Sequence, residues 1–199
     1  MAKVVQFPSP TPEKFGFKPV RKRKASLQKK PGQLNLFEGG RIVKLNQLSS
    51  FEEALMLDEQ NDPRAKDLYL RAIEEKDGVA DSYCNLGILE SEDNNHSKAI
   101  GYFTLCLKEE PRHFEAHYNL ANLYAEIGNY PLAKVHYQMS IEVEPEFPNS
   151  HFNLGLTYAM NREIEEAIQS LLSYRKLAAP EDRHYAEELI SNLSRTITK

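Results

Sequence analysis

The chain has 199 residues, the length of one or two domains, and 41% of them are hydrophobic, which is enough for a packed core. Its net charge of −4 conceals an uneven distribution, because residues 1–50 carry +9 and residues 51–199 carry −13. Apolar runs are too short for the roughly 18–20 residues that span a bilayer, so we expect neither a membrane-spanning helix nor a signal peptide. The two cysteines, Cys84 and Cys106, have neither redox nor metal-site spacing, which favours a reducing, cytoplasmic compartment.

Residues 1–48 combine several prolines with charge of one sign, and the sequence RKRK stands at 21–24. Low hydrophobicity with like charge predicts a disordered basic arm. Two alternatives remain for its role. The segment 18–30 folds back into an acidic groove of the following domain and occludes it, or the arm is solvated and aids solubility or meets nucleic acid. Without interleaved aromatic residues, the basic cluster is only a weak sign of nucleic-acid recognition.

An apolar pentapeptide, QLNLF at residues 33–37, interrupts this arm. It resembles the bacterial sliding-clamp-binding motif Q-L-[S/D]-L-F, with Asn35 in place of Ser or Asp. That resemblance implies that glutamine enters a small polar pocket while the leucines and the phenylalanine fill a hydrophobic cleft. The matching residues are Gln33, Leu34, Leu36 and Phe37. The alternative is that these side chains pack on an edge of the first helical unit. The motif and the repeats that follow are also similar to the C-terminal part of bacterial regulators with a MerR-type DNA-binding head, which this chain lacks.

Self-similarity with a period of 34 residues begins near residue 80. The tripeptides NLG, NLA and NLG start at Asn85, Asn119 and Asn153. Small residues, bulky residues and prolines recur with nearly the same step: Ala99, Ala133 and Ala167; Phe103, Tyr137 and Leu171; Pro111, Pro145 and Pro180. This pattern resembles the tetratricopeptide repeat, a helix–turn–helix unit whose small residues let two helices approach closely and whose proline ends the second helix.

The resemblance implies an all-α fold, a right-handed superhelix of about four units with a C-terminal capping helix. We predict a repeat domain over 49–199 after the arm 1–48. Its parts are a degenerate unit 49–79, units 80–113, 114–147 and 148–180, and a capping helix 181–197. In the degenerate unit, Ala65, Tyr69 and Ala72 keep the register of the later units. Apolar residues at helical spacing mark the capping helix: Tyr185, Leu189, Ile190 and Leu193.

The aromatic position of the family pattern is Tyr83 in one unit but histidine, His117 and His151, in the next two. We interpret these histidines as aromatic substitutes that stack between units. His113 and His117 have the i, i+4 spacing of a metal site but lack the HExxH order and an obvious third ligand, so we interpret them as structural. Cys106 falls on a core position and is interpreted as packing. We therefore expect neither a metal nor a cofactor.

The sequence has no glycine-rich phosphate loop, nucleophile elbow or carboxylate pair at a defined spacing, so we expect no enzyme activity. The resemblance implies instead a concave groove, lined by the first helix of each unit, that binds a peptide or protein. The candidate groove residues are Asp81, Asn85, Glu115, Tyr118, Asn119, Asn122, Phe152, Asn153 and Leu156.

The groove residues suggest a type of ligand. The three asparagines at 34-residue intervals can pair with the backbone of an extended peptide, since an amide both donates and accepts. The alternative is that they bond a neighbouring helix. Tyr118 and Phe152 would supply apolar anchorage. Chaperone-binding members of the family have lysine where this chain has Asp81 and Glu115, which favours a basic or mixed ligand over an acidic one.

Together these features predict a non-catalytic scaffold or adaptor that binds an extended peptide or a partner protein in the groove. The alternative is an accessory protein of DNA replication, repair or transcription, tethered to the sliding clamp through residues 33–37. Neither function involves a membrane partner.

Overall fold

The computed structural model describes residues 48–197, which form consecutive helix pairs followed by one further helix. The helices are α1 Ser50–Asp58, α2 Arg64–Glu74, α3 Val79–Glu92, α4 His96–Glu109, α5 Phe114–Glu126, α6 Tyr130–Val143, α7 Pro148–Met160, α8 Ile164–Leu177 and α9 Arg183–Ile197. A 3₁₀ turn, Pro180–Asp182, separates α8 from α9. The predicted all-α class is confirmed for the described residues.

Local capping fixes where several helices begin. The Oγ of Ser49 accepts the N–H of Glu52 at 3.3 Å, and the Glu52 carboxylate accepts the N–H of Ser49 at 3.1 Å, so a capping box starts α1. Asn129 caps α6 through the N–H of Leu132, and a proline stands in the first turn of that helix. These caps set the register in which each helix presents its faces.

A tight turn with one residue in left-handed backbone geometry joins the two helices of each unit. These residues are Asn61, Asn94, Gly128 and Arg162, with φ of 55°, 59°, 79° and 65°. In each turn the following N–H donates to the carbonyl five residues earlier, as in Asn129 to Tyr124, which is the Schellman way of ending a helix. Glycine adopts this backbone without strain, whereas a Cβ makes it costly for Arg162.

Each core cluster combines one helix pair with the first helix of the next unit. Leu86 of α3 packs with the α1–α2 pair, Leu120 of α5 with the α3–α4 pair, and Leu154 of α7 with the α5–α6 pair. The final cluster joins α7 and α8 to Leu189 and Leu193 of α9. Every unit therefore relies on its neighbour to cover its apolar face, and α9 does this for the last pair, as expected of a repeat stack.

Small residues stand where the two helices of a unit approach. A Cβ on Gly87 would lie 2.7 Å from the ring of Phe103, and a Cβ on Gly155 would lie 2.9 Å from Cγ of Leu171. Real Cβ atoms essentially never make contacts this short, so these two positions need glycine with their present partners. The sequence pattern that predicted close helix approach thus corresponds to a measurable steric limit.

Candidate functional site

The first helices α3, α5 and α7 carry the residues predicted to line the groove, and neighbouring first helices contact each other. We call this set of nine candidate residues the groove face. Asn85, Asn119 and Asn153 occupy equivalent places on these helices, and all three are buried. The repeat register predicted from the sequence is therefore present in the stack.

The donor group of each asparagine amide is directed at a side chain of the preceding helix or unit. Nδ2 of Asn85 donates to Oη of Tyr69 at 3.1 Å, and Nδ2 of Asn153 donates to Oη of Tyr118 at 3.2 Å. Nδ2 of Asn119 lies 3.9 Å from Sγ of Cys84, a weaker contact. These bonds favour the alternative in which the side-chain NH₂ groups of the three asparagines bond neighbouring helices.

The amide group of Asn153 has a further partner, and its oxygen has an environment of its own. Its Nδ2 also donates to Oδ1 of Asn122 at 3.1 Å, and the same oxygen of Asn122 accepts the hydroxyl of Tyr137 at 2.6 Å. Oδ1 of Asn153 is itself buried, and among the described residues no donor hydrogen-bonds to it. A buried acceptor without a donor is costly, and because this oxygen has almost no exposed surface, a ligand could reach it only if the surrounding side chains moved.

The predicted apolar anchors also contribute to the core. Tyr118 makes edge contacts with Phe147 at 5.2 Å and with Tyr137 at 6.2 Å between ring centroids. Phe152 packs on Tyr174 at 4.8 Å, and Leu156 belongs to the same cluster. The structure thus brings Tyr118, Asn122 and Asn153 together, while Phe152 and Leu156 lie with α8 and α9.

The predicted acidic end of the groove face contains a histidine that sequence reasoning assigned no role there. Nε2 of His113 lies 2.9 Å from Oδ1 of Asp81, and Nδ1 lies 3.7 Å from Oε2 of Glu115. The two carboxylate side chains are 20% and 14% exposed, whereas the imidazole is fully buried between them. The acidic character of this end is therefore partly offset by a group that can carry a positive charge.

His113 also connects to the two cysteines. Its Nδ1 accepts the N–H of Ala116 at 3.1 Å and so caps α5, which places the ring proton on Nε2, facing Asp81. Burial and the cap bond from Ala116 favour a neutral ring, whereas the bonds to Asp81 and Cys106 raise the pKa of His113. Protonation of Nδ1 would break the cap bond to Ala116.

The thiols of Cys84 and Cys106 are free, buried and close to the imidazole of His113. The hydrogen bond with Cys84 lowers the pKa of the Cys106 thiol to about 7, helped by His113 and opposed by burial. The sequence interpretation of Cys106 as packing is incomplete, because its thiol has polar partners. No spacing rule could have found this cluster, since its members come from α3, α4 and the loop before α5.

The i, i+4 histidines do not converge. His113 faces Asp81, whereas His117 places Nδ1 3.0 Å from Nδ1 of His136, and its ring lies tilted against that ring within its own unit. The expectation that His117 stacks between units is therefore wrong. Its link to the preceding unit is a bond from Nε2 to the carbonyl of Pro111 at 3.1 Å, and His151 repeats it toward Pro145 at 2.9 Å.

Burial keeps this second histidine pair neutral. Burial lowers the pKa of His117, and burial together with the neighbouring His117 lowers the pKa of His136 to about 4. The ring of His136 also stacks on Tyr124 at 5.7 Å. The pair therefore acts as an uncharged packing element at neutral pH.

Two sequence predictions concern residues that the structure does not describe. The linear motif, Gln33, Leu34, Leu36 and Phe37, and the basic segment 18–30 lie outside the described residues. Within residues 48–197, none of the helices has the length and apolar character that crossing a bilayer requires.

Comparison with known proteins identifies the repeat. Three tetratricopeptide repeat models match residues 80–113, 114–147 and 136–169. A comparison of the whole sequence with curated proteins gives no match.

Solved structures share the fold at low identity. MamA from Desulfovibrio magneticus RS-1 (residues 41 to the end) is 18% identical with a TM-score of 0.62, and the match covers 75% of this chain and 89% of that one. The first tetratricopeptide domain of Spaghetti (RPAP3), bound to the HSP90 peptide SRMEEVD, is 14% identical with a TM-score of 0.56, covering 60% and 94%. The TPR2B domain of yeast Sti1, in a complex with pHsp70, is 18% identical with a TM-score of 0.55, covering 59% and 97%. The repeat models show that residues 80–169 of this chain are tetratricopeptide repeats, and the solved structures share the corresponding fold.

Proposed function

We propose that this protein is a non-catalytic adaptor that binds an extended peptide or a segment of a partner protein along the groove face. The observation that carries the proposal is the pair of carboxylates, Asp81 and Glu115, whose side chains are 20% and 14% exposed at one end of the groove face. Carboxylates accept hydrogen bonds from the backbone N–H groups and the basic side chains of a bound peptide.

The structural neighbours support a peptide ligand. The Spaghetti domain holds an HSP90 peptide, and the yeast Sti1 domain is in a complex with pHsp70. Both have the helix-pair stack found in this chain, so the architecture is compatible with peptide binding. Their ligands belong to those proteins, and the ligand of this chain has to be inferred from its own side chains.

The charge at one end of this groove face does not suit an acidic peptide such as the one in the HSP90 complex. The peptide SRMEEVD has three acidic residues and one basic residue. This chain presents Asp81 and Glu115 at one end of the groove face, each partly exposed. Like charges would repel such a peptide, so we propose a basic or mixed ligand whose approach the carboxylates accelerate.

The test starts from peptides selected from a random displayed library against the full-length protein, with affinities measured by calorimetry. Selected peptides should be basic or mixed. Asn119→Ala separates the two alternatives for the three asparagines: a loss of about 1 kcal/mol or more, the scale of a lost hydrogen bond, would assign the amide to the ligand, and unchanged affinity would leave it structural. Glu115→Lys should weaken basic peptides, whereas Glu188→Lys, the same charge change on an exposed position of α9, should not.

Peptides that are mainly acidic, or whose affinity is unchanged in Glu115→Lys, would contradict the groove proposal. Circular dichroism of each variant separates lost binding from lost structure. The clamp-tethered accessory function is a second proposal that rests on the sequence match at residues 33–37 alone, and it has its own test in the Discussion.

A further inference from the structure

Three potential metal ligands converge at one junction of the stack. Cys84 on α3, Cys106 on α4 and His113 before α5 are all buried, and their ligand atoms lie within 4.8 Å of one another. They come from three separate elements, two in one unit and one at the entrance to the next. A single ion held there would therefore connect two neighbouring units.

This cluster is not a general feature of the repeat. One period later, the same three places are occupied by Tyr118, Ser140 and Phe147. There the junction is filled by ring packing, with Tyr118 and Phe147 centroids 5.2 Å apart, and by a bond between the hydroxyls of Ser140 and Ser150. This later junction is therefore well packed without a sulfur atom or an imidazole ring. Ligand-type side chains at all three places of one junction need a different explanation.

The donor set has the chemistry of a zinc site. Two thiolates and one imidazole are ligands that Zn²⁺ prefers, and a water molecule would complete the tetrahedron, as in zinc sites with three protein ligands. Bond lengths of about 2.0–2.3 Å place tetrahedral donors about 3.3–3.8 Å apart, so closing the cluster requires movements on the order of 1 Å.

The surroundings of the cluster also fit. Asp81 lies 2.9 Å from Nε2 of His113, and an outer carboxylate on the second ring nitrogen orients a ligating histidine and raises its basicity. Because Nε2 faces Asp81, an ion would bind Nδ1 and would replace the cap bond that this nitrogen accepts from the N–H of Ala116.

We propose that Cys84, Cys106 and His113 bind one Zn²⁺ ion, with Asp81 as the outer carboxylate that positions His113. The ion would join α3, α4 and the start of α5. This site does not depend on the proposed peptide function, since its ligands pack inside the stack.

The test uses full-length protein, reduced and freed of metal, titrated with Co²⁺ as a spectroscopic substitute for Zn²⁺. Thiolate–cobalt charge-transfer and tetrahedral ligand-field absorption should appear, saturate at one ion per chain and disappear when Zn²⁺ is added. Zn²⁺ should also raise the unfolding temperature, because it binds the folded chain preferentially.

Variants assign the ligands. Cys106→Ser introduces the residue found at Ser140 one unit later, so the fold should tolerate it, and the absorption should be lost. Asp81→Asn should weaken Co²⁺ binding about 10- to 100-fold without removing a ligand. His151→Gln, a histidine outside the cluster, should bind Co²⁺ as the unaltered protein does.

Absence of thiolate–cobalt absorption in the reduced protein at one equivalent of Co²⁺ would overturn the proposal. Retention of that absorption in folded Cys106→Ser would overturn it as well. If circular dichroism shows that Cys106→Ser is unfolded, the decision passes to Asp81→Asn, where unchanged affinity refutes the assigned site.

Discussion

Two glycines of one helix pair should respond to alanine in opposite directions. A Cβ on Gly87 of α3 would lie 2.7 Å from two ring carbons of Phe103, and that ring is fully buried. A Cβ on Gly101 of α4 would meet nothing within 4 Å. Both positions are helical, so the two substitutions share the same change in backbone propensity and differ in their packing.

The magnitudes follow from these distances. Replacing glycine by alanine inside a helix gains about 0.5–1 kcal/mol, because the unfolded chain loses less freedom on folding. At Gly101 this gain stands alone, so we expect Gly101→Ala to stabilise the protein by about 0.5–1 kcal/mol. At Gly87 the ring of Phe103 must shift in a packed core, at a cost of about 1–3 kcal/mol. The net result for Gly87→Ala should be a destabilisation of roughly 0.5–2 kcal/mol.

Urea unfolding of the full-length protein, followed by helical circular dichroism, measures both free energies. The double variant Gly87→Ala/Phe103→Leu tests the cause, because a smaller side chain at 103 should make the added methyl group less costly than it is beside the ring. The reasoning is refuted if Gly87→Ala is as stable as the unaltered protein, or if Gly101→Ala loses stability. An equal cost of the methyl group with and without the ring would refute the assigned contact.

Three further changes test other parts of the molecule. Arg162→Gly should stabilise the protein by about 1 kcal/mol in urea unfolding, because it removes a Cβ from left-handed backbone at φ 65°; no gain would contradict the assigned strain. Because the pKa of His136 in the fold is about 4, the unfolded chain binds a proton that the folded chain excludes between pH 6.5 and 4, so stability falls as pH falls through this range. His136→Gln should lower the loss between pH 7 and pH 5 by about 1–2 kcal/mol, and an identical loss in both proteins would show that the buried ring is not responsible. Leu36→Ala/Phe37→Ala should abolish capture of a bacterial sliding clamp if residues 33–37 form the proposed motif, and a clamp that never binds the unaltered protein would rule the motif out.

The outcome for the groove face shows how far the repeat register can be followed. The 34-residue period placed Asn85, Asn119 and Asn153 on equivalent faces, because a helix turns each side chain through a fixed angle. It could not decide what each amide contacts, since this depends on how far apart neighbouring first helices lie. Only the tertiary structure shows that Asn153 donates to Tyr118 and that its oxygen has no donor among the described residues.

The histidines show a similar division. Their i, i+4 spacing correctly put His113 and His117 near one end of α5, but it suggested a shared direction that the structure does not have. His113 stands at the cap, before the first helical turn, so its ring faces back toward α3 and α4. A cap residue follows the geometry of the loop, which a helical spacing rule does not describe.

By itself, the sequence determined the helix-pair unit, its period and its close internal approach. Small residues such as Gly87, bulky partners such as Phe103 and closing prolines are local requirements, and each leaves a trace within one 34-residue window. The tertiary structure alone decided the contacts between elements. Cys84, Cys106 and His113 are 22 and seven residues apart along the chain, and no periodicity joins them. They meet because neighbouring units pack at one distance and angle, which the packed side chains of all three helices set together.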